Sequence, residues 1–239
     1  MTDDFIVYGI VPARSGSKGV LDKNIKKLDG HPLLSYSIKF AQKLNLDRVF
    51  CSTDSEMYAN IAEKHGAEVP FLRSKFAAAD NAMEHHVLQD LYQKFEAHNI
   101  QQPDFIVWLR PTFVFRDVNA VNQAIQILKD NNNYTAARTV VETEGRLYRI
   151  EDKSAILKPN FEDFGKSMIR RQDVGKFYKV FSTDIIRFSK DNLGENFLGN
   201  RVYPIVVDKI CGMDIDDQRD FEIVEALIKN AKHLVNDYL

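Results

Sequence analysis

The sequence predicts an α/β fold, and three observations carry that reading. An apolar run from Phe5 to Val11 has the length and content of a buried strand. A loop rich in glycine and basic residues follows it, and a helix-like spacing of apolar residues begins at Pro32. The same alternation of strand, loop and helix recurs through most of the 239 residues, a length that suits one large α/β domain with a small appendage.

The first strand runs into the stretch from Val11 to Asn24. Gly16 and Gly19 allow its backbone to bend and to approach a ligand closely, while Arg14, Lys18 and Lys23 place three positive charges there. This is the makeup of a polyphosphate cradle, at the end of a strand where open sheets bind ligands. A solvated turn is the competing account of the same residues, because the stretch has neither P-loop nor dinucleotide-binding spacing.

Composition narrows the field. Hydrophobic residues at 44% and charged ones at 28% are ordinary globular values. A net charge of −2 argues against general nucleic-acid affinity, so phosphate binding has to be local. Cys51 and Cys211 are far apart with no companion ligands, so neither a disulfide nor zinc is expected, and both look like buried strand ends. The N-terminal residues lack the pattern of a secretion signal and no apolar stretch is long enough to span a membrane, which makes a cytoplasmic protein the expectation.

Pro32 to Leu44 is spaced as an amphipathic helix opened by proline. Asp47 to Thr53 reads as a strand, with Asp54 and Ser55 capping a helix from Glu56 to His65 that Gly66 stops. Glu68 to Leu72 is expected to be a short third strand with Arg73 at its exit. Small residues follow through 74–83, where Asp80 and Asn81 fit helix caps, and Glu84 to Ala97 reads as a helix. His85 and His86, adjacent on that helix, point about 100° apart and cannot grip a metal together. Asp104 to Leu109 is a strand carrying the only tryptophan, Trp108; Asp117 to Asn131 is a helix and Tyr134 to Val141 a strand.

Residues 142–174 break the alternation and read as an excursion from the sheet. They end in Arg170-Arg171-Gln172-Asp173, which fits a salt-bridged turn. Thr183 or Asp184 is expected to cap a short helix, and Val202 to Val207 to form a late strand. The stripe Ile223, Val224, Leu227, Ile228, Ala231 and Leu234 marks a C-terminal helix. Before it, Asp214 and Asp216 stand two apart in extended chain and project to one side, with Ile215 turned away. Two convergent carboxylates suit Mg²⁺, and the same residues also fit helix caps. Asp220 reads as a first-turn acid that favours the helix dipole.

These motifs resemble those of the acylneuraminate cytidylyltransferases. The family's first signature is roughly A-R-x-G-S-K-G-x-x-x-K-N. Its fixed residues all stand here at unchanged spacing, as Ala13, Arg14, Gly16, Ser17, Lys18, Gly19, Lys23 and Asn24, with Leu21 where proline is usual. Leu109, Pro111, Thr112 and Arg116 match L-x-P-T-S-P-x-R, with Phe113 and Val114 in place of Ser-Pro. Arg170 to Asp173 matches R-R-Q-[DE], and Asp214 to Phe221 matches D-I-D-x-x-x-D-F. The N-G-x-x-Y motif expected after Tyr178 is missing, and Lys179 to Asp184 stand in its place.

The resemblance implies a three-layer α/β/α sheet of the nucleotide-diphospho-sugar transferase type over residues 1–141 and 175–239. Residues 142–174 would be a dimerisation extension reaching the partner's site in a homodimer. The implied reaction transfers CMP from CTP to the anomeric hydroxyl of a sialic-acid-like nine-carbon sugar and releases pyrophosphate. Arg14, Lys18 and Lys23 would be catalytic, holding the phosphates, and Ala13, Gly16, Ser17, Asn24 and Arg73 would complete the nucleotide site. Asp80 and Asn81 would read the base. Arg110, Arg170, Arg171 and Gln172 would meet the sugar, Arg110 as a bidentate partner for its carboxylate. Asp214 and Asp216 would hold Mg²⁺, and no residue stands out as a general base. The changed Phe113-Val114 pair and the missing Asn-Gly motif leave two other readings open. One is a transferase for another acidic sugar or nucleotide, the other a non-catalytic nucleotide-binding protein of the same fold. Neither nucleic acid nor membrane is an expected partner.

Overall fold

The first predicted strand forms β1, Val7–Pro12, and its alternate side chains face opposite layers: Val7 and Val11 join one apolar cluster, Tyr8 and Ile10 another. A strand buried on both faces belongs in the middle of a three-layer fold. The computed structural model describes residues 5–17, 19–151 and 155–239. After β1 come the short hairpin strands β2 (Lys27–Leu28) and β3 (His31–Pro32), then α1 (Leu33–Ala41), β4 (Arg48–Ser52), α2 (Glu56–Lys64) and α3 (Lys75–Ala78). The chain continues through α4 (Glu84–Ala97), β5 (Phe105–Leu109), α5 (Val118–Asp130) and β6 (Ala136–Thr143). A hairpin of β7 (Tyr148–Glu151) and β8 (Ile156–Pro159) leads to β9 (Phe177–Arg187), β10 (Val202–Val206), α6 (Gln218–Asn230) and α7 (Lys232–Val235).

Six strands form one mixed sheet in the order β10-β6-β9-β5-β1-β4. β1 runs parallel to β4 and β5, and β10 parallel to β6, whereas β9 is antiparallel to both of its neighbours. The reversal follows from connectivity. The chain leaves β6 at Thr143 and returns at Phe177 directly opposite, so β6 and β9 are two arms of one long hairpin whose far end carries β7 and β8. The 142–174 excursion is therefore an outgrowth of two central strands.

Helices α1, α2 and α5 bury Ile38, Tyr58, Val121 and Leu128 against one face of the sheet, and α4 buries Val87, Leu88, Leu91 and Phe95 with Trp108 against the other. Each such side chain stabilises the fold by about 1.5–3 kcal/mol relative to exposure. A third cluster joins Leu33, Val114 and Phe115 to Ile215, Phe221, Val224 and Ile228, which holds the C-terminal segment against the loop leaving β5. Phe113 and Val114, standing where Ser-Pro is usual, are thus buried apolar anchors. Among the described residues no helix is long and apolar enough to cross a membrane.

Several expectations need correction. Glu68 to Leu72 is not a strand: only Glu68 bridges to Phe50, and Pro70, which has no N–H to donate, ends the pairing. The 74–83 stretch holds α3, capped by the Ser74 hydroxyl on the Ala77 N–H. Cys211 lies in a short 3-10 turn, Lys209–Gly212, while Cys51 lies in β4 as expected; both are buried free thiols. On the C-terminal helix, Phe221, Val224 and Ile228 face inward but Ile223 is exposed, as is Leu234 beyond it, because the buried stripe is narrower than the apolar spacing suggested.

The largest departure concerns Thr183 and Asp184, which cap nothing. Both are fully buried within β9. Asp184 is tolerated there because two arginines meet it: Arg110 Nη2 donates to Oδ2 at 2.9 Å, and Arg138 donates to both carboxylate oxygens, including Oδ2 at 2.9 Å. Removing one member of such a network leaves charge without a partner in low dielectric. Asp184→Ala is therefore expected to destabilise the protein by about 3 kcal/mol, read as a lower urea midpoint with an unchanged slope.

Candidate nucleotide and metal site

The loop after β1 is tied down from several sides. The Ser15 backbone N–H and hydroxyl donate to the two carboxylate oxygens of Asp54 at 2.7 and 2.8 Å, so Asp54 lashes the loop to the turn after β4, while Ser55 alone caps α2. Burial pushes the Asp54 carboxyl up, but the hydrogen bonds from Ser15 outweigh it and hold it below the usual carboxylate range. Asn24 is buried and its amide donates to the Arg14 carbonyl at 3.0 Å, which closes the loop on itself. Gly16 has φ 69°, a left-handed conformation that favours glycine. Gly19 meets a different demand: a Cβ there would lie 2.8 Å from the Asp216 carbonyl oxygen.

That contact brings the two ends of the chain's chemistry together. Lys23 Nζ donates to the Ile215 carbonyl at 2.6 Å, between Asp214 and Asp216. Ile215 is fully buried and its N–H donates to the Thr112 carbonyl at 3.1 Å, which anchors the extended acidic segment to the loop after β5. Asp217 caps α6 in a reciprocal capping box with Asp220, so capping falls to these two acids and leaves Asp214 and Asp216 outside it.

Between the first loop, α3, the start of α4 and the exit of β5 lies a cleft of about 370 Å³, within the range of small-molecule sites. Arg14, Ser17, Gly19, Lys23, Asn24, Arg73 and Arg110 contribute to its walls together with the apolar Ala77, Ala82, Met83, Val87 and Trp108. Lys18 lies outside the described residues. Ala13 is fully buried behind the cleft, its N–H donating to the Ser52 carbonyl at 2.9 Å. Arg14 pairs with Asp80 at 3.0 Å, and neither Asp80 nor the exposed Asn81 is part of the cleft wall.

Arg73 is buried, its guanidinium donating to the Ser52 hydroxyl at 3.0 Å and carbonyl at 2.7 Å; burial brings its pKa down to about 10 despite the pull of Asp54. Arg110 works against burial too, but Asp184 and Glu84 outweigh it and hold the guanidinium above its ordinary value. Arg116, matched by motif alone, proves to be the buried brace of this loop. It donates to the carbonyls of Arg110 and Phe113, and burial lowers its pKa to about 9.

The acids face a second hollow of about 280 Å³, bordered by Lys179, Met213, Asp214, Asp216, Asp220 and Ile223. Asp214 Oδ1 is buried with no hydrogen-bond partner among the described residues; burial raises the carboxyl most and Asp216 adds to it, against a hydrogen bond from the Thr112 side chain and the charges of Lys23 and Lys179. An orphaned carboxylate oxygen beside a second carboxylate is what a hard divalent cation satisfies, and two protein carboxylates suffice for Mg²⁺ when substrate supplies further oxygens. Among the described residues no group of three or more His, Cys, Asp and Glu could hold a metal on its own. Lys179 is the residue that sequence reasoning missed; it stands where Asn-Gly was expected, and only the pairing of β9 with Val141 places it beside the acids. Arg170, Arg171 and Gln172 lie on the excursion, exposed, with Arg170 paired to Asp173 and Arg171 to Glu142.

Comparison with known proteins gives the family and the fold. The family described as Cytidylyltransferase matches residues 8–194. Post-translational flagellin modification protein B of Campylobacter coli is 31% identical over 95% of this chain and 96% of its own. CMP-N,N'-diacetyllegionaminic acid synthase of Legionella pneumophila is 28% identical over 96% of this chain and 99% of its own. N-acylneuraminate cytidylyltransferase of Escherichia coli O18:K1:H7 is 29% identical over 91% of this chain, which spans about half, 51%, of that longer protein. Among solved structures, CMP:2-keto-3-deoxy-manno-octonic acid synthetase superposes with a TM-score of 0.68 at 13% identity, covering 95% of this chain and 99% of its own, and so shares the fold. With the family match running over most of the chain and a relative 31% identical along 96% of its own length, the chain belongs to the cytidylyltransferase family.

Proposed function

We propose that the protein transfers CMP from CTP to the anomeric hydroxyl of a nonulosonic acid, a sialic-acid-like nine-carbon sugar, with release of pyrophosphate. One observation carries the reading: the first loop and the acidic segment, 192 residues apart, meet through Lys23 and the Ile215 carbonyl at the edge of the cleft. The names of the relatives, an N-acylneuraminate and a legionaminic acid enzyme, supply the substrate class.

Negative charge moves onto the leaving pyrophosphate in this reaction, so the site's task is to place cations before the charge develops. Arg14, Lys18 and Lys23 hold the triphosphate, with Ser17 and the Gly19 backbone against it. Asn24 and Arg73 keep the loop and its neighbouring wall in shape. Asp214 and Asp216 are the residues that would hold Mg²⁺, which supplies further positive charge to the phosphate oxygens when bound. The sugar lies on the far side of the acids, in the hollow where Lys179 offers a partner for its carboxylate and Met213 and Ile223 offer apolar contact for acyl groups. Arg110 shares its charge with Glu84 and Asp184, so it serves the cleft wall first.

The excursion presents Ile150, Leu157 and Met168 at 67, 61 and 87% exposure, an apolar surface that suits a second copy of the chain. In such a homodimer Arg170, Arg171 and Gln172 of one subunit reach toward the sugar of the other.

The direct test incubates the protein with CTP, Mg²⁺ and a panel of nonulosonic acids and follows pyrophosphate. Release that requires both CTP and one of these sugars is expected, and its absence across the panel overturns the reading. Asp216→Ala is expected to lower Mg²⁺-dependent turnover at least a hundredfold while circular dichroism and melting stay near the parent, about 3 kcal/mol of lost transition-state stabilisation. Lys179→Gln should raise KM for the sugar about tenfold with KM for CTP unchanged; equal effects on both would remove Lys179 from the sugar side.

A further inference from the structure

The cleft is charged unevenly. Arg14 and Lys23 come from the first loop, whereas Glu84, the first residue of α4, is the acid of the lining, among Ala82, Met83 and Val87 and paired with Arg110. A phosphate oxygen carries no proton to offer the Glu84 carboxylate, whereas the edge of a base does, so the base is the part of a nucleotide that suits Glu84.

The Glu84 carboxylate is held in one orientation. Its Oε1 accepts from Trp108 Nε1 at 3.1 Å and from Arg110 Nε at 2.7 Å, and Arg110 is itself fixed by the buried Asp184. Oε2 carries no hydrogen bond among the described residues, and the side chain keeps 35% of its exposure. A fixed carboxylate acceptor beside apolar side chains is complementary to a flat ring that presents an N–H donor at its edge. Cytosine presents an exocyclic amine there; uracil presents a carbonyl oxygen, which a carboxylate repels.

We propose that Glu84 Oε2 accepts a hydrogen bond from the exocyclic amine of the base and so selects cytosine over uracil. This rests on reading the cleft as the nucleotide site. It moves base recognition from Asp80 and Asn81, which lie outside the cleft wall, to the start of α4, with Trp108, Arg110 and Asp184 as positioning residues that aim the carboxylate.

The test is calorimetric binding to the intact protein, without sugar, of CTP, UTP and the pyrimidin-2-one ribonucleoside triphosphate, which lacks the amine. CTP is expected to bind at least about tenfold more tightly than either, the usual consequence of losing a hydrogen bond to a carboxylate. In Glu84→Gln, whose amide can turn its NH₂ toward a carbonyl, the CTP-over-UTP ratio is expected to fall about tenfold. Equal affinity of the unmodified protein for CTP and the pyrimidin-2-one nucleotide overturns the proposal. So does an unchanged ratio in a Glu84→Gln protein that melts like the parent. Because no sugar is present, a failure of pyrophosphate release leaves this inference standing and removes only the transferase reading; failure to bind any triphosphate removes both.

Discussion

Lys23 donating to the carbonyl of Ile215 is the contact on which the site depends. It fixes a basic loop that begins at the end of β1, where Lys23 opens a single 3-10 turn, against an acidic segment from the far end of the chain that has no regular structure at Ile215. What makes the contact possible is apolar. Ile215 is buried with Val114, Phe115 and Phe221, so the extended stretch is held by its middle residue while its two carboxylates stay on the other side. Gly19 lies flat against Asp216 for the same reason: any side chain there would push the acids away from the cations. Electrostatics alone would not hold so close a juxtaposition of exposed charge, because such pairs are weak in water. The third apolar cluster supplies the rigidity.

Beneath the cleft lies a polar floor that is unusual for the centre of a sheet. Asp184, Arg110, Arg138 and Glu84 balance two positive against two negative charges, and Arg116 ties the carbonyls of Arg110 and Phe113. Burying so many ionised groups costs desolvation that better-packed apolar residues would avoid. What is gained is preorganisation: the wall of the cleft is fixed before a ligand arrives, and no side chain has to reorganise as charge develops. The stability that Asp184 contributes and the orientation it gives Arg110 are therefore two faces of one arrangement.

Much of this was legible in the sequence, and the failures have physical causes. Helix α4 spans Glu84–Ala97 as its spacing indicates, and the strand-exit loops fall where the glycine-rich and proline-rich stretches lie. The motif residues of the first loop and the Asp-Ile-Asp segment do come together. A Thr-Asp pair before a helix-like stretch predicts a cap; the true partners of Asp184, Arg110 and Arg138, lie 74 and 46 residues away and leave no local trace. Asp54 hid its role for the same reason, since Ser15 is 39 residues off. Lys179 and Glu84 give no signal for another: a charged residue at an exposed strand position or in a first helical turn is ordinary until the fold shows what it faces.

The placement of β9 has a consequence for how the molecule is assembled. β1, β4 and β5 form one parallel trio and β6 pairs with β10, but the two groups touch only through β9, which lies between β5 and β6. A nascent chain emerging from the ribosome therefore carries half a sheet with an open hydrophobic edge at β5 until residue 187 is available. Its polar floor is incomplete until Asp184 meets Arg110 and Arg138. Long-range strand insertion of this kind is slow and leaves edges prone to mispairing.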